Sequence, residues 1–271
     1  MPRTLTTLFL SLSTLASAGV AAEAPPARLA AAPAAATAPA ATFIVGLGLA
    51  TLPEYAGAKK TRVVPLPIAE AHFGNGIFVG TSRGIGYQRT VGGVNVSAAL
   101  GYGGARPDHK ENAFYGSDAF KGMGKVDGSA LLNLSASARL GVFDLSAGTS
   151  QSLSRRKNGS TYTFGVSAPL YQTATDKISW SASAEYGDAK HAQTYFGVTA
   201  AQSLTSGYRQ KTAKAGFETV NTSINWERTL SKSWSLRGTL GVTGLVGDAA
   251  SSPLTQRKVS PIVITGVAYT F

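Results

Sequence analysis

The stretch P-I-V-I-T-G-V-A-Y-T-F, residues 261–271, decides how the rest of this chain is read. Successive side chains of a pleated strand point to opposite faces. Val263, Thr265, Val267, Tyr269 and Phe271 therefore share one face, and Ile264, Gly266, Ala268 and Thr270 share the other. The run is apolar on the first face, small or mixed on the second, and ends on an aromatic.

The same period of two recurs upstream. In Ser129–Leu140, Ala130, Leu132, Leu134, Ala136, Ala138 and Leu140 alternate with Ser129, Asn133, Ser135, Ser137 and Arg139. Ile178, Trp180, Ala182, Ala184 and Tyr186 alternate with Ser179, Ser181, Ser183 and Glu185. Val94, Val96, Ala98, Leu100 and Tyr102, and then Trp234, Leu236, Leu240 and Val242, repeat the pattern. Strands of about 10–12 residues exceed the soluble norm and match tilted membrane strands. A soluble sandwich would also alternate, with its apolar face turned inward. Here the polar face is small and neutral, and Trp180, Trp226, Trp234, Tyr102, Tyr162, Tyr269 and Phe271 gather toward strand ends, as rings do at membrane interfaces. A sheet in lipid has to close, because an open edge leaves backbone groups unsatisfied. The predicted fold is an all-β transmembrane antiparallel up-and-down barrel over 43–271. Its final strand has the form read by barrel-assembly machinery, with Tyr269 and Phe271 as the signal.

Composition agrees. Charged residues are 14% of the 271, Gly numbers 31, and there is no Cys, which removes disulfides, thiolate metal sites and Cys nucleophiles. Net charge is +11. The basic clusters Lys59-Lys60 and Arg155-Arg156-Lys157 sit among Gly, Ser and Asn, so they read as loops touching lipopolysaccharide phosphates or periplasmic murein, with no nucleic-acid partner. Residues 1–22 read as a secretory signal peptide: Arg3, then Leu5, Leu8, Phe9, Leu10, Leu12 and Leu15, then small residues at Ala16-Ser17-Ala18 and Val20-Ala21-Ala22. Residues 23–42, nearly all Ala and Pro, read as a periplasmic lead-in. These features place the protein in a Gram-negative outer membrane, among its lipid and lipopolysaccharide.

Turn lengths set orientation, since periplasmic turns are short and outer loops long. Asn75-Gly76, Gly141-Val142, 173–177 and 230–232 are short; 51–61, 105–127, 154–159, 188–213 and 247–258 are long. Parity gives twelve strands if the stretch 76–88 splits near Arg83-Gly84, and ten is the alternative.

Several segments in order resemble the MltA-interacting protein (MipA/OmpV) family of outer-membrane barrels: L-P-E-Y-A-G-A-K-K-T-R-V-V-P-L-P at 52–67, Gly84-Ile85-Gly86, F-K-G-M-G-K-V-D at 120–127, Q-T-Y-F-G-V-T at 193–199, L-S-K-S-W-S-L at 230–236 and G-D-A-A-S-S-P-L at 247–254. Ala105-Arg106 departs from the family's Gly-Arg. The resemblance implies a barrel without catalytic residues or cofactors. It implies a scaffold that brings a lytic transglycosylase together with a murein synthase. Other members are described as osmotic-stress, adhesion or antibiotic-uptake proteins. The alternatives for this chain are a narrow pore or uptake channel for small polar solutes, given its Arg excess, or a loop-borne adhesin.

Catalysis has little to stand on in the residues. Asp108-His109 and Asp188/His191 are the acid–His neighbours, both in predicted outer loops, and a relay needs a nucleophile in hydrogen-bond contact. Three scattered His without Cys, including His72, make no metal site. Pro53, Tyr55 and Gly57 are expected to fold the first loop over the mouth, because Pro fixes φ and Gly permits a tight turn. Arg62, Arg83, Arg106 and Arg139, with Glu70, Asp127 and Glu185, are expected to form an internal charge ladder, either a rigid plug or a selectivity filter. Tyr195, Phe196 and Gly197 read as loop packing.

Overall fold

A computed structural model describes residues 41–271. The signal peptide, and the lead-in up to residue 40, lie outside the described residues. Twelve strands form one closed antiparallel barrel in sequence order. They are β1 Thr42–Pro53, β2 Thr61–His72, β3 Ile77–Gly80, β4 Gly84–Val91, β5 Val94–Gly103, β6 Ser129–Leu140, β7 Phe143–Ser152, β8 Ser160–Gln172, β9 Asp176–Gly187, β10 Gly216–Thr229, β11 Trp234–Leu245 and β12 Val259–Thr270.

The predicted last strand closes the cylinder. β12 pairs with β1 from Ile44↔Thr270 to Thr51↔Val263, and the Phe271 N–H donates to the Phe43 carbonyl at 3.0 Å. Closure satisfies the backbone groups that lipid cannot. The split near Arg83 is present: β3 and β4 meet across a turn at 81–83, which sets the count at twelve.

Alternation decides which side chains meet lipid. Leu47, Leu49, Val63, Leu100, Leu134, Leu240 and Val263 are exposed on the outer face. Two aromatic chains mark the ends of that belt. Trp234, Tyr269 and Phe271 stack edge to face at the short-turn end, with centroids 4.9 and 4.8 Å apart. Tyr162, Tyr186 and Phe217 do the same at the long-loop end, at 6.3 and 5.6 Å. Trp180 sits in the body of β9 instead, where its indole N–H donates to Thr222 Oγ1 at 2.9 Å.

The inner face is two-sided. From β5 to β11 it is a network of short polar groups: Ser97–Ser135 at 2.6 Å, Ser181–Ser223 at 2.8 Å, and Asn225 accepting from Thr239 at 3.0 Å. Across β12, β1 and β2 it is apolar, with Ala50, Leu52 and Ile262 packed against Val64, Leu66 and Ile264.

One strand departs from the length rule. β3 has four residues and pairs with β2 only at Glu70, Ala71 and His72. Its turn therefore sits low in the wall, beside Pro67 and Ala69 rather than at the outer rim.

Candidate functional site

The long loops carry the family-like segments, and they fold together into a lid across one mouth. Each loop is tied to another by a specific contact. Tyr55 in the first loop donates its hydroxyl to the Leu254 carbonyl in the last, 3.1 Å away. Gly57 holds φ at 92°, a left-handed conformation natural to glycine, and its carbonyl accepts from the N–H groups of Gln256 and Arg257, each at 2.8 Å. Glu54 accepts from Ser117 Oγ at 2.9 Å, which ties the first loop to the 104–128 loop. Pro53, buried at the end of β1, starts this turn.

The 188–215 loop contributes two helices, α1 (Ala189–Phe196) and α2 (Ala200–Ser206). Asp188 caps α1 by accepting the His191 N–H at 2.8 Å, and Thr199 with Gln202 forms a capping box on α2. Gly197 ends α1, where a Cβ would collide with the Gln193 side chain. Two apolar clusters form beneath these helices. One holds Ala192, Tyr195, Phe196, Ala213, Leu245 and Ala249. The other holds Tyr55, Ala58, Phe120, Met123, Val198 and Leu254. Tyr55 and Phe120 stack at 4.6 Å, and Val198 is fully buried. Lid segments that bury cores of this kind hold one conformation, unlike freely solvated loops.

Arg106 is the charged centre of the lid. Its guanidinium donates to the Thr194 carbonyl at 3.1 Å and lies 4.6 Å from the Phe120 ring. Burial lowers its pKa to about 10, so it still carries charge at neutral pH. The Tyr195 hydroxyl donates to the Gly104 carbonyl. Burial pushes the Tyr55 and Tyr195 hydroxyls far above the ordinary tyrosine value, which keeps both as donors.

The expected charge ladder does not form as one array. Arg62 donates to the carbonyls of Gly116 and Glu54 under the lid. Arg83 lies 3.9 Å over the Phe78 ring and donates to Gln88 at 3.3 Å. Arg139 pairs with its cross-strand neighbour Asp144 at 2.8 Å, at the short-turn end. Asp127 reaches Lys125 at 3.4 Å and Arg155 at 3.6 Å in the outer loops. Glu70 reaches His72 at 3.3 Å. The reason is position: Arg83, Arg106 and Asp127 lie in turns and loops, so they cannot align with wall residues.

Glu185 belongs to a group that sequence spacing hid. It is buried in β9 close to His191 and Glu218, and His191 Nδ1 stands 2.9 Å from Glu218 Oε2, off the line of a good hydrogen bond. Glu218 is reached because β10 bulges between Phe217 and Thr219, turning an extra residue inward. Burial works against the His191 imidazolium, but Glu218, Glu185 and Asp188 outweigh it and raise its pKa. Asp108 and His109 touch at 2.7 Å on an exposed loop. Among the described residues no group of three His, Cys, Asp or Glu side chains is disposed to hold a metal ion.

Residues 45–271 match the family model described as MltA-interacting protein MipA. The chain belongs to that family. No curated protein matches it in sequence. Among solved structures, a KdgM porin aligns over 85% of this chain and 99% of its own, at 10% identity and a TM-score of 0.42. OprB of Pseudomonas putida aligns over 77% and 59%, at 11% identity and 0.38. An anion-selective porin from Comamonas acidovorans aligns over 85% and 98%, at 12% identity and 0.32. Within the MipA family frame, the chain is a closed outer-membrane barrel. The segments at 52–67, 120–127, 193–199 and 247–254 all contribute to the lid or its immediate supports. Its helices, its two apolar clusters and the His191–Glu218 contact had no signal in strand periodicity. The one legible hint was the capping pattern Thr199-x-x-Gln202.

Proposed function

We propose that this barrel is a membrane-anchored scaffold whose short-turn, periplasmic end gathers murein-remodelling enzymes, a lytic transglycosylase and a murein synthase. The family's description as MltA-interacting carries the reading. The lid agrees with it: loops packed on one another at the outer mouth leave the short-turn, periplasmic end as the less covered face. Inward charges also collect at that end, with Arg139–Asp144 and Arg237–Glu227 as cross-strand pairs at 2.8 and 3.7 Å. In this reading a cleaved signal peptide exports the chain, barrel-assembly machinery inserts it, and the 23–42 lead-in adds to the enzyme-binding surface. The exposed basic clusters at Lys59-Lys60 and Arg155-Arg156-Lys157 face lipopolysaccharide phosphates. Tagged lytic transglycosylase should enrich the barrel from solubilised membranes, together with the synthase. Enrichment no better than that of an unrelated barrel sinks the proposal.

A narrow pore for small polar solutes is the second reading, and the wet Ser/Asn/Thr wall of β9–β11 favours it. Planar-bilayer recording separates the two: discrete steps that scale with salt support a pore, and silent insertion removes it. A loop-borne adhesin is tested by deleting 109–114, because 117–120 is already committed to the lid through Ser117 and Phe120.

A further inference from the structure

The short β3 leaves a window in the barrel wall. β2 runs outward from His72 to Thr61, but β3 accompanies it only over Glu70–His72. Residues 61–69 of β2 have no strand partner on that side among the described residues. Thr81 covers the lower part, donating its N–H to the Ala69 carbonyl at 3.0 Å and its hydroxyl to the Pro67 carbonyl at 3.2 Å. Above, the 104–128 loop crosses to β2, where Arg62 donates to Gly116 O at 3.1 Å. The window is thus bounded by β2, the 81–83 turn, the top of β5 and that loop.

Its chemistry is specific. In an antiparallel strand the N–H and C=O of one residue point to the same side. The Ala69 and Phe73 bonds show that odd-numbered residues of β2 aim theirs at the window side. Pro65 and Pro67 are two of these, so the open edge lacks two N–H groups just where they would be orphaned in lipid. An edge without those donors also resists pairing with a foreign strand. That argues against a protein occupant added as a strand.

Inside the window lies the apolar sector of the lumen. Val64, Leu66 and Ile68 of β2 face inward and are half-buried, backed by Ala50, Leu52, Ile262 and Ile264. Outside it, Val63, Ile85 and Leu100 face lipid. The lipid belt and the lumenal apolar wall thus lie on the two faces of a stretch of β2 that has no strand partner on this side. From Arg62 to Ile68 is about 20 Å of extended strand, comparable to an outstretched long-chain fatty acid. Arg62, inward-facing and half-buried, stands at the upper end of this strip; its hydrogen bonds go to the carbonyls of Gly116 and Glu54, and the Glu54 carboxylate is its nearby countercharge.

We propose that the barrel takes a single-chain anionic amphiphile, such as a long-chain carboxylate, from the bilayer through this window. The chain lies along Val64, Leu66 and Ile68, and the headgroup sits at Arg62. The opposite, Ser/Asn-lined wall keeps water alongside it.

The full chain lacks Cys, so single labels report cleanly. Leu66→Cys, lipid-facing Leu47→Cys and lumenal Ser181→Cys would each carry a bimane in nanodiscs, with heat-modifiable gel mobility confirming that each is folded. Nitroxide-labelled stearate should quench the label at Leu66→Cys about as strongly as at Leu47→Cys, and far more than at Ser181→Cys. Quenching at Leu66→Cys no greater than at Ser181→Cys overturns the proposal. So does equal quenching by a phospholipid carrying the nitroxide at the same chain depth, since bulk lipid would then merely wet the strip. Adding Arg62→Gln should raise the half-quenching concentration of the acid about tenfold, the scale of a lost charged hydrogen bond, and leave that of its methyl ester unchanged. Arg62→Lys should restore most of the loss. An unchanged midpoint for the acid refutes the headgroup site.

Discussion

The hydroxyl of Tyr55 and the carbonyl of Leu254, 199 residues apart, meet at 3.1 Å inside an apolar cluster. One bond thereby joins the first outer loop to the last, on the two sides of the β1–β12 seam. The lid is accordingly built from the ends of the chain as much as from its middle. Tyr55→Phe removes the bond but keeps the ring on Phe120. We expect a loss of about 1 kcal/mol in urea unfolding of the refolded barrel, with strand content unchanged by circular dichroism.

Phe120→Ala should do far more. The ring fills the space between Tyr55, Met123 and Arg106, and its removal leaves a cavity under a desolvated guanidinium. Large-to-small changes of this kind cost about 3–5 kcal/mol. We expect the 104–128 and 188–215 loops to become cleavable by protease added outside cells. If a pore lies beneath, single-channel conductance should rise above that of the wild type.

His191 gives the lid a pH dependence of definite sign. Its folded pKa is raised above the ordinary 6.5 by Glu218, Glu185 and Asp188 against the effect of burial. Tyr195 also stacks on its ring at 4.5 Å. A raised pKa contributes stability that is complete below about pH 6.5 and is lost as pH climbs through the folded value. Protease nicking in 188–215 should accelerate between pH 6 and pH 9 in the wild type. In His191→Gln it should be faster at pH 6, with a smaller rise from pH 6 to pH 9 than in the wild type.

Pro65 and Pro67 should act as guards of the open β2 edge. Pro65→Val with Pro67→Val restores two N–H groups facing the window. We expect a shift toward dimers or larger species in detergent by light scattering, with the monomer retaining its heat-modifiable mobility. A monodisperse double variant would show that the edge needs no guard.

Phe271 packs on Tyr269 at the outer surface of the periplasmic end. Phe271→Ala removes little buried area, so the refolded barrel should melt within a few degrees of the wild type. If the terminus is read during assembly, the same variant should accumulate in the periplasm unfolded. Surface proteolysis and heat-modifiability of whole-cell fractions measure that directly.

The amino-acid pattern by itself determined the cylinder. Alternation of lipid-facing and lumen-facing residues is a property of adjacent positions, and it appears wherever a strand crosses a bilayer. It was enough to place a closed barrel of ten or twelve strands with the final strand at the seam; the pairing of β3 with β4 decided twelve. Tertiary structure alone decided what the long loops do. Tyr55 with Leu254, Arg106 with Thr194 and His191 with Glu218 are contacts between segments that share no local period, created by strands that return their loops to one rim. The same holds for the window. Pro65 and Pro67 gain their meaning only from strand pairing, which shows that β3 stops three residues along β2 and leaves their edge open. Register is set by the whole sheet, and no stretch of sequence carries it alone.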